Sequence, residues 1–241
     1  MLHSHKSLTY LIRYFKNKHL GKRCFIIGNG PSINLMDLDC LKNEFTIGTN
    51  YTFLKEEIKT PYICISDTFR MQELALYDKN IFSEKIIFYA SHTGPTWDSI
   101  VPSLLNRTVV LHFLENEINF SEDIKKGIYC NKKMASVVFP AIQIAVYMGA
   151  SEIYLIGVDQ DYKKDQLWFH GKQGKPHKEM QCNGTRDVIG HNFNYSYETQ
   201  FKPAIEFYHE KLKEKNIKLI NAGVGGKLDA IPRIKFESLF Q

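Results

Sequence analysis

The stretch RCFIIGNGPS at residues 23–32 decides the fold of this chain. Its first five residues form a short apolar run of the kind that makes a buried strand, and a glycine turn follows directly. The turn contains Gly28, Asn29, Gly30 and Ser32. Glycines let a backbone approach a ligand closely, and a helix N-terminus favours negative charge. The stretch therefore predicts a strand, a phosphate-binding turn and a helix, in that order.

The turn also has an interpretation without a ligand. Ile33 stands where the dinucleotide-binding fingerprint has its third glycine, and no Gly-Lys-Ser/Thr follows, so the turn is not a P-loop. Ser32 could then cap the helix of a tight strand-to-helix connection. Both interpretations stay open at the level of the sequence.

Outside this stretch, apolar runs alternate with segments of helical spacing. Strands are predicted at residues 46–48, 62–65, 85–89, 108–113, 152–156 and 218–220, and helices at residues 31–42, 68–77, 134–148 and 196–215. This alternation predicts a single-domain, Rossmann-like α/β fold with a mainly parallel sheet and helices on both faces. The polar stretch 157–195 is too long for a simple connection, so we expect a lid or binding loop there.

The first 20 residues predict a basic amphipathic helix, which precedes a nucleotide-binding domain at residues 21–241. Apolar residues recur at helical spacing at Leu8, Leu11, Ile12 and Phe15, with lysines and an arginine between them. Such a helix either attaches to an anionic membrane or packs on its own domain. Both alternatives are open.

Composition narrows the class of protein. With 44% hydrophobic and 24% charged residues the chain is expected to fold, and a net charge of +5 is too mild to predict a nucleic-acid partner. Five scattered cysteines without a CxxC pair indicate reduced thiols rather than a zinc site or disulfides. We find neither a signal peptide nor an apolar run long enough to span a bilayer. A cytoplasmic protein is expected, peripheral at the inner membrane face if the first helix attaches there.

Further candidate residues follow the predicted strands. Asn50 and Asp67 come after the second and third strands, at the sheet edge where open parallel sheets bind ligands. Either residue could instead form an Asx turn. Asp159 and Asp161, after the strand at 152–156, could hold a divalent metal, or Asp159 could cap its loop. Tyr162 could donate a hydrogen bond to a phosphate oxygen.

The loop before the last helix contains a candidate general base. His191 follows Ile189 and Gly190, and a histidine can take up a proton near neutral pH. His170 and His177 lie in the same loop and are alternatives. No histidine pair has the i,i+4 spacing of a metal site, so no bound metal is predicted from these residues.

Together, these motifs resemble two related groups of proteins. The glycine turn, Thr49-Asn50, Ser136 before a helix, the strand ending GVD at 157–159 and the IGH at 189–191 resemble the ordered landmarks of bacterial lipooligosaccharide sialyltransferases. These enzymes transfer a nonulosonic acid from a CMP-linked donor to a sugar hydroxyl. The chain is even more similar to a broad family typified by archaeal 6-hydroxymethylpterin pyrophosphokinase, whose bacterial members often accompany enzymes of surface-polysaccharide synthesis. The stretch NAGVGGKL at 221–228 is typical of that family.

The resemblance implies roles for individual residues. Asn29 would contact the donor phosphate, Asn50 the donor nucleotide, and Ser136 would line the donor site. Tyr162 would help the phosphate to leave, and His191 would be the general base. Trp168 stands near the place of a second phosphate-contacting tyrosine, and Asp67 replaces an asparagine of the sialyltransferases, which leans towards the pterin-type family.

The resemblance implies an inverting glycosyltransferase that moves a sialic-acid-like or other nonulosonic sugar from a CMP-activated donor. The acceptor would be a hydroxyl of a surface glycan or lipid-linked glycan, and no cofactor would be required. The alternative enzyme is a pyrophosphokinase acting on a pterin, with Mg²⁺ held by Asp67, Asp159 and Asp161. A third alternative is a nucleotide-binding accessory protein of polysaccharide assembly. Self-association into a homo-oligomer is left open.

Overall fold

The computed structural model describes residues 12–90, 102–111, 113–114, 118–129, 136–161, 169 and 197–241. In these residues the fold is built on a seven-stranded sheet in which every strand pairing is parallel. The strands are β1 (Arg23–Ile27), β2 (Phe45–Thr49), β3 (Tyr62–Ile65), β4 (Ile86–Tyr89), β5 (Thr108–Val110), β8 (Glu152–Ile156) and β9 (Lys218–Asn221), and a separate parallel pair is formed by β6 (Phe113–Leu114) and β7 (Ile128–Tyr129). Their order in the large sheet is β5-β4-β3-β2-β1-β8-β9. The predicted parallel α/β fold is confirmed.

Within the described residues, three α-helices and several short helical turns connect the strands. The α-helices are α1 (Thr68–Glu73), α2 (Val138–Tyr147) and α3 (Lys202–Lys213), and a π-helical turn at Tyr197–Phe201 leads directly into α3. Single 3-10 segments include Ile12–Phe15, Pro31–Leu35, Leu38–Leu41, Asn50–Leu54 and Phe236–Leu239. None of the α-helices in the described part of the chain has the length and apolarity needed to cross a bilayer.

Both faces of the sheet are covered, as the continuous apolar runs predict. In β1, Cys24 and Ile26 face the core formed with α2 and α3, while Phe25 and Ile27 face a second core on the opposite side. All four side chains are fully buried. Because alternate residues of a strand point to opposite faces, a strand between two cores must be apolar throughout.

The predicted helix at 31–42 is wrong. The segment forms two 3-10 turns, Pro31–Leu35 and Leu38–Leu41, separated by an extended Met36 with φ −117° and ψ 143°. Leucines spaced three residues apart fit the 3-10 repeat as well as one face of an α-helix, and Leu35 is 72% exposed. As a result, no α-helix begins at the glycine turn.

The segment 12–21 packs on the body of the domain. Ile12 and Phe15 are buried in the same core as α2. The backbone N–H groups of Asn17, His19 and Gly21 donate to the last carbonyl of α2 and to the two carbonyls that follow it, at 3.0, 2.7 and 2.9 Å. The first eleven residues, which carry most of the predicted N-terminal helix, lie outside the described residues.

Candidate functional site

A cleft of about 180 Å³ lies at the carboxyl edge of the sheet, beside the junction of β1 and β8. The chain adds strands outward from β1 to β5 and then returns to place β8 on the other side of β1. Ligands of open parallel sheets bind at such a change of direction. The cleft is lined by residues 28–31 after β1, 49–50 after β2, 136–138 at the start of α2 and 157–161 after β8.

Asn29 is held in one orientation on the cleft wall. Its Nδ2 donates to the carbonyl of Thr49 at 2.8 Å and to Thr49 Oγ1 at 3.1 Å. Thr49 Oγ1 in turn donates to the carbonyl of Ile27 at 2.9 Å. A carbonyl can only accept, so the amide cannot be turned round without losing the first bond. Asn29 Oδ1 is left as a buried acceptor with no hydrogen-bond partner among the described residues.

Asn50 provides a second buried acceptor in the same wall. It follows β2 with φ +47°, a left-handed conformation that asparagine tolerates better than most residues. Its Oδ1 is also buried without a hydrogen-bond partner in the described part of the chain. On the side formed by the loop after β8, Gln160 has φ +53°. Left-handed residues therefore stand on two sides of the cleft, after β2 and after β8.

The glycines of the turn are required by a contact within the protein. The N–H groups of Gly28 and Gly30 donate to the carbonyls of Ile156 and Gly157, both at 2.8 Å. A Cβ at Gly28 would collide with the carbonyl oxygen of Gly157, and one at Gly30 would lie 2.5 Å from Asp159 Oδ2. The close approach of two loops therefore explains these glycines without a ligand.

Asp159 occupies the place where the sequence predicts a ligand phosphate. Its carboxylate accepts hydrogen bonds from the Ser32 backbone N–H at 2.9 Å and from the Ser32 hydroxyl. Burial raises the pKa of Asp159, and the two bonds from Ser32 only partly oppose this shift. Ser32 is itself buried, does not line the cleft and caps no helix.

The helix that begins at the cleft is α2. Ser136 lies just before it and accepts a hydrogen bond on Oγ from the Val138 N–H at 3.3 Å. An α-helix leaves its first N–H groups without partners inside the helix, and this end attracts anions. The helix N-terminus that favours anions in this cleft is therefore that of α2, beside Ser136. The sequence predicts such an end directly after the glycine turn.

The charged groups of the cleft wall are acidic. Asp159 and Asp161 both line the cleft, and the charge of Asp161 contributes to the raised pKa of Asp159. None of the lining residues that the structure describes is a lysine, arginine or histidine. A bound polyphosphate would therefore need positive charge from elsewhere.

Asp67 lies at the same edge of the sheet but outside the cleft lining. It follows β3, and its backbone carbonyl accepts from the Met71 N–H at 3.0 Å, at the start of α1. The charge of Asp67 favours the protonated form of Arg70, although burial has the larger effect and lowers the pKa of that guanidinium. Asp67 thus does not share the cleft lining with Asp159 and Asp161.

Tyr162, Trp168 and His191 lie outside the described residues, as do His170 and His177, so their roles stay predictions. Phe169 is described, and it contacts the glycine turn. Its N–H donates to the carbonyl of Asn29 at 2.9 Å, and its carbonyl accepts from Asn34 Nδ2 at 2.9 Å.

Sequence reasoning gave no individual role to Thr49, Gly157 and Gln160, although its motifs include the first two. Thr49 orients Asn29, Gly157 has φ +63° and makes room for the turn, and Gln160 is left-handed. The signal for Thr49 was its place at the end of an apolar strand, directly before Asn50. Gly157 follows the strand 152–156 in the same way. Nothing in the sequence distinguishes Gln160 from an ordinary loop residue.

Comparison with known proteins gives a family and a fold. A family model described as 6-hydroxymethylpterin diphosphokinase MptE-like matches residues 1–165. No curated protein matches the chain in sequence. The sialyltransferase CstII from Campylobacter jejuni in complex with CMP-3FNeuAc is similar in structure, with a TM-score of 0.51 and 15% identity over 88% of this chain and 86% of that chain. The sialyltransferase CST-II in complex with a trisaccharide acceptor and CMP gives a TM-score of 0.48 and 17% identity over 83% and 80% of the two chains. The resemblance seen in the sequence is confirmed, and at 15% identity the likeness to CstII is one of fold.

Proposed function

Since this chain belongs to the 6-hydroxymethylpterin diphosphokinase MptE-like family, we propose that it binds a nucleotide-linked donor in the cleft beside β1 and β8 and transfers a group from it. The specific reaction we propose is inverting transfer of a sialic-acid-like or other nonulosonic sugar from a CMP-activated donor. The acceptor is a hydroxyl of a glycan or lipid-linked glycan. This choice of donor rests on the motif resemblance and on the chemistry of the cleft.

The observation that carries the proposal is the pair of buried amide oxygens, Asn29 Oδ1 and Asn50 Oδ1. Buried polar atoms are nearly always hydrogen-bonded, so two oxygens on residues of one cleft that have no partner in the described part of the chain favour a ligand that donates to both. Ribose hydroxyls and the amino group of cytosine are donors, whereas an ionised phosphate is not. The two asparagines therefore favour the nucleoside part of the donor. The donor phosphate fits better at Ser136 and the start of α2.

The proposed mechanism depends on the negative charge that develops as the bond between the sugar and CMP breaks. His191 would take the proton of the acceptor hydroxyl, whose oxygen attacks the anomeric carbon while CMP leaves. Negative charge then grows on the phosphate, and the N–H groups of α2 and the Tyr162 hydroxyl would stabilise it. Groups that bind this charge more strongly in the transition state than in the ground state accelerate the reaction.

A second function, Mg²⁺-dependent pyrophosphoryl transfer, is favoured by the acidic wall. Carboxylates are preferred ligands of Mg²⁺, and the metal neutralises the phosphates of ATP during transfer. Asp159 and Asp161 are the residues that would hold the ion, since both line the cleft. Asp67 does not line the cleft and is not part of the set proposed here.

Calorimetric titration with CMP, and then with ATP and Mg²⁺, distinguishes the two functions. We expect CMP to bind equally well with and without EDTA. Asn50→Ala should weaken binding by at least about tenfold, because it removes a hydrogen bond to the ligand. Asn216→Ala is the matched control, since Asn216 is also left-handed, with φ +58°, but precedes β9 at the opposite edge of the sheet. Absence of CMP binding, together with Mg²⁺-dependent ATP binding, would exclude the glycosyltransferase and favour the kinase.

Loss of His191 should affect rate rather than affinity. We expect His191→Ala to bind CMP as the wild type does and to lose about 10²–10⁴-fold in the rate of sugar transfer, the usual contribution of a positioned base. Single-turnover transfer from a CMP-sugar measures the rate, and His209→Ala, a change in α3, is the matched control. An unchanged rate in His191→Ala would exclude it as the base.

A further inference from the structure

We infer that Gly226 and Arg233 are positioning residues for the cleft, and that they act by holding Asp159 against the turn after β1. The segment that carries this contact is the glycine loop, residues 223–228, between β9 and the C-terminal segment. The inference rests on the proposed function only in taking the cleft as a nucleotide site.

The glycine loop has a fixed shape. Gly225 and Gly226 are both left-handed, with φ +73° and +74°. The Arg233 guanidinium donates to the carbonyls of Gly223 at 2.9 Å, Gly225 at 2.5 Å and Leu228 at 3.2 Å. The Asn221 side chain bonds both ends of the loop. Its Oδ1 accepts from the Gly223 N–H at 2.9 Å, and its Nδ2 donates to the Leu228 carbonyl at 2.8 Å. The Arg233 guanidinium and the Asn221 amide therefore fix the conformation of the loop along its length.

The loop touches the backbone of Asp159. The Lys227 N–H donates to the Asp159 carbonyl at 2.7 Å. Gly226 lies so close that a Cβ there would be 2.5 Å from the Asp159 carbonyl oxygen and 2.8 Å from its Cα. At Gly225 an added Cβ would meet no atom within 4 Å. The close approach to Asp159 therefore requires a residue without a side chain at Gly226 but not at Gly225.

Asp159 connects the glycine loop to the turn after β1. It stands beyond the end of β8 and before the left-handed Gln160, so the strand does not fix its direction. The glycine loop supports its backbone on one side, and its carboxylate binds the N–H and hydroxyl of Ser32 on the other. Ser32 belongs to the same turn as Asn29, which lines the cleft. A shift of the loop should therefore change the cleft although no loop residue lines it.

The test compares Gly226→Ala with Gly225→Ala. Both put alanine into the same left-handed conformation, so they share the backbone penalty, but only Gly226→Ala pushes on Asp159. The first readout is amide hydrogen exchange at Ser32, measured by NMR without ligand. We expect exchange at least tenfold faster in Gly226→Ala and unchanged in Gly225→Ala. The second readout is the Kd for CMP, or for ATP with Mg²⁺, which should rise about tenfold in Gly226→Ala alone.

The two readouts separate this inference from the proposed function. Equal Ser32 exchange in the two glycine variants would overturn the inference, whatever the protein binds. A wild-type protein that binds neither nucleotide would overturn the proposed function, and Ser32 exchange would still decide the role of the loop. If Gly226→Ala does not fold, Arg233→Gln takes its place, and it should speed Ser32 exchange because it removes the fork that pins the loop.

Discussion

Asp159 shows how one residue can change the meaning of a motif. The glycine turn has the composition of an anion site, yet its Ser32 N–H is already bonded to a carboxylate of the same chain. Motif analysis treats the turn and the strand end at Asp159 as two separate ligand contacts. The structure joins them, because β8 pairs with β1 and brings Asp159 over the turn.

The ionisation of Asp159 should make stability depend on pH. Burial raises its pKa in the folded protein, so the folded state holds this proton more tightly than the unfolded chain. The resulting stabilisation is fully present below the ordinary pKa of an aspartate and is lost as pH rises through the raised value. We expect the unfolding free energy of the wild type, relative to Asp159→Asn, to increase as the pH falls from 7 to 4. Urea denaturation of both proteins across this range measures it, and a difference that does not vary with pH would contradict the shift.

Much of the site could be predicted from strand ends, and its hydrogen bonds could not. Asn29, Asn50 and Asp159 each follow an apolar run, and in a parallel sheet such positions gather at one edge. Which atom of Asn29 is left unpaired depends on Thr49, a neighbour that only the pairing of β1 with β2 supplies. Pairing partners are set by tertiary structure, which a single sequence does not display.

At the scale of elements, strands were easier to predict than helices. Strands such as Tyr62–Ile65 and Glu152–Ile156 match their apolar runs because both faces of the sheet are covered and the residues are buried together. The π-helical turn at Tyr197–Phe201 and the 3-10 turns after β1 were not distinguished from α-helix. Apolar residues three or four apart fit all three helix types, and the local backbone decides among them.

Gln143 is a buried polar residue of α2, and its replacement by an apolar residue should lower the unfolding free energy of the protein. Its side chain is fully buried, accepts from the N–H groups of Ser121 and Tyr129 at 3.1 and 3.0 Å, and donates to Tyr208 Oη at 2.8 Å. Gln143→Leu removes the acceptor of the Ser121 and Tyr129 N–H groups, while Tyr208 Oη keeps its bond to the Asn119 carbonyl, and should cost about 3 kcal/mol of unfolding free energy.

Ile144→Val is the control for packing in the same helix. Ile144 is fully buried but apolar, so this change should cost only about 1 kcal/mol. Urea denaturation gives both values. Equal losses in the two variants would mean that the hydrogen bonds of Gln143 add nothing beyond packing.

At the scale of the molecule, residues 13–22, which carry exposed cations, and the cleft lie at opposite ends of the strands. The His19 ring stacks on Phe45 with centroids 4.0 Å apart, and its Nε2 is 3.1 Å from Tyr62 Oη, at the starts of β2 and β3. The cleft lies at the strand ends, and five strand residues span roughly 15 Å. If the exposed cations of residues 13–22 meet an anionic membrane, the cleft faces away from it.

Changes to this basic surface should leave the cleft unaffected. Lys16, Lys18 and Lys22 are exposed and precede β1. We expect the triple substitution to glutamate to change the Kd for nucleotide by less than about twofold, because salt screens exposed charges beyond roughly 8–10 Å. The same calorimetry measures it, with sedimentation on anionic vesicles as a separate readout. A large change in Kd would mean that the two edges are coupled.

Because β1 lies between β2 and β8, its two pairing partners leave the ribosome at different times. β2 follows β1 within a short stretch of chain, whereas β8 comes only after β5 and α2. At a synthesis rate of about 5–20 residues per second, the ribosome needs on the order of ten seconds to deliver β8 after β1. During that interval the nascent chain carries β1 with one edge unpaired, which leaves it open to pairing with another chain. When β8 arrives, it closes this side of β1 and brings residues 157–161 against the turn, so completion of the pairing of β1 and assembly of this wall of the cleft are one event.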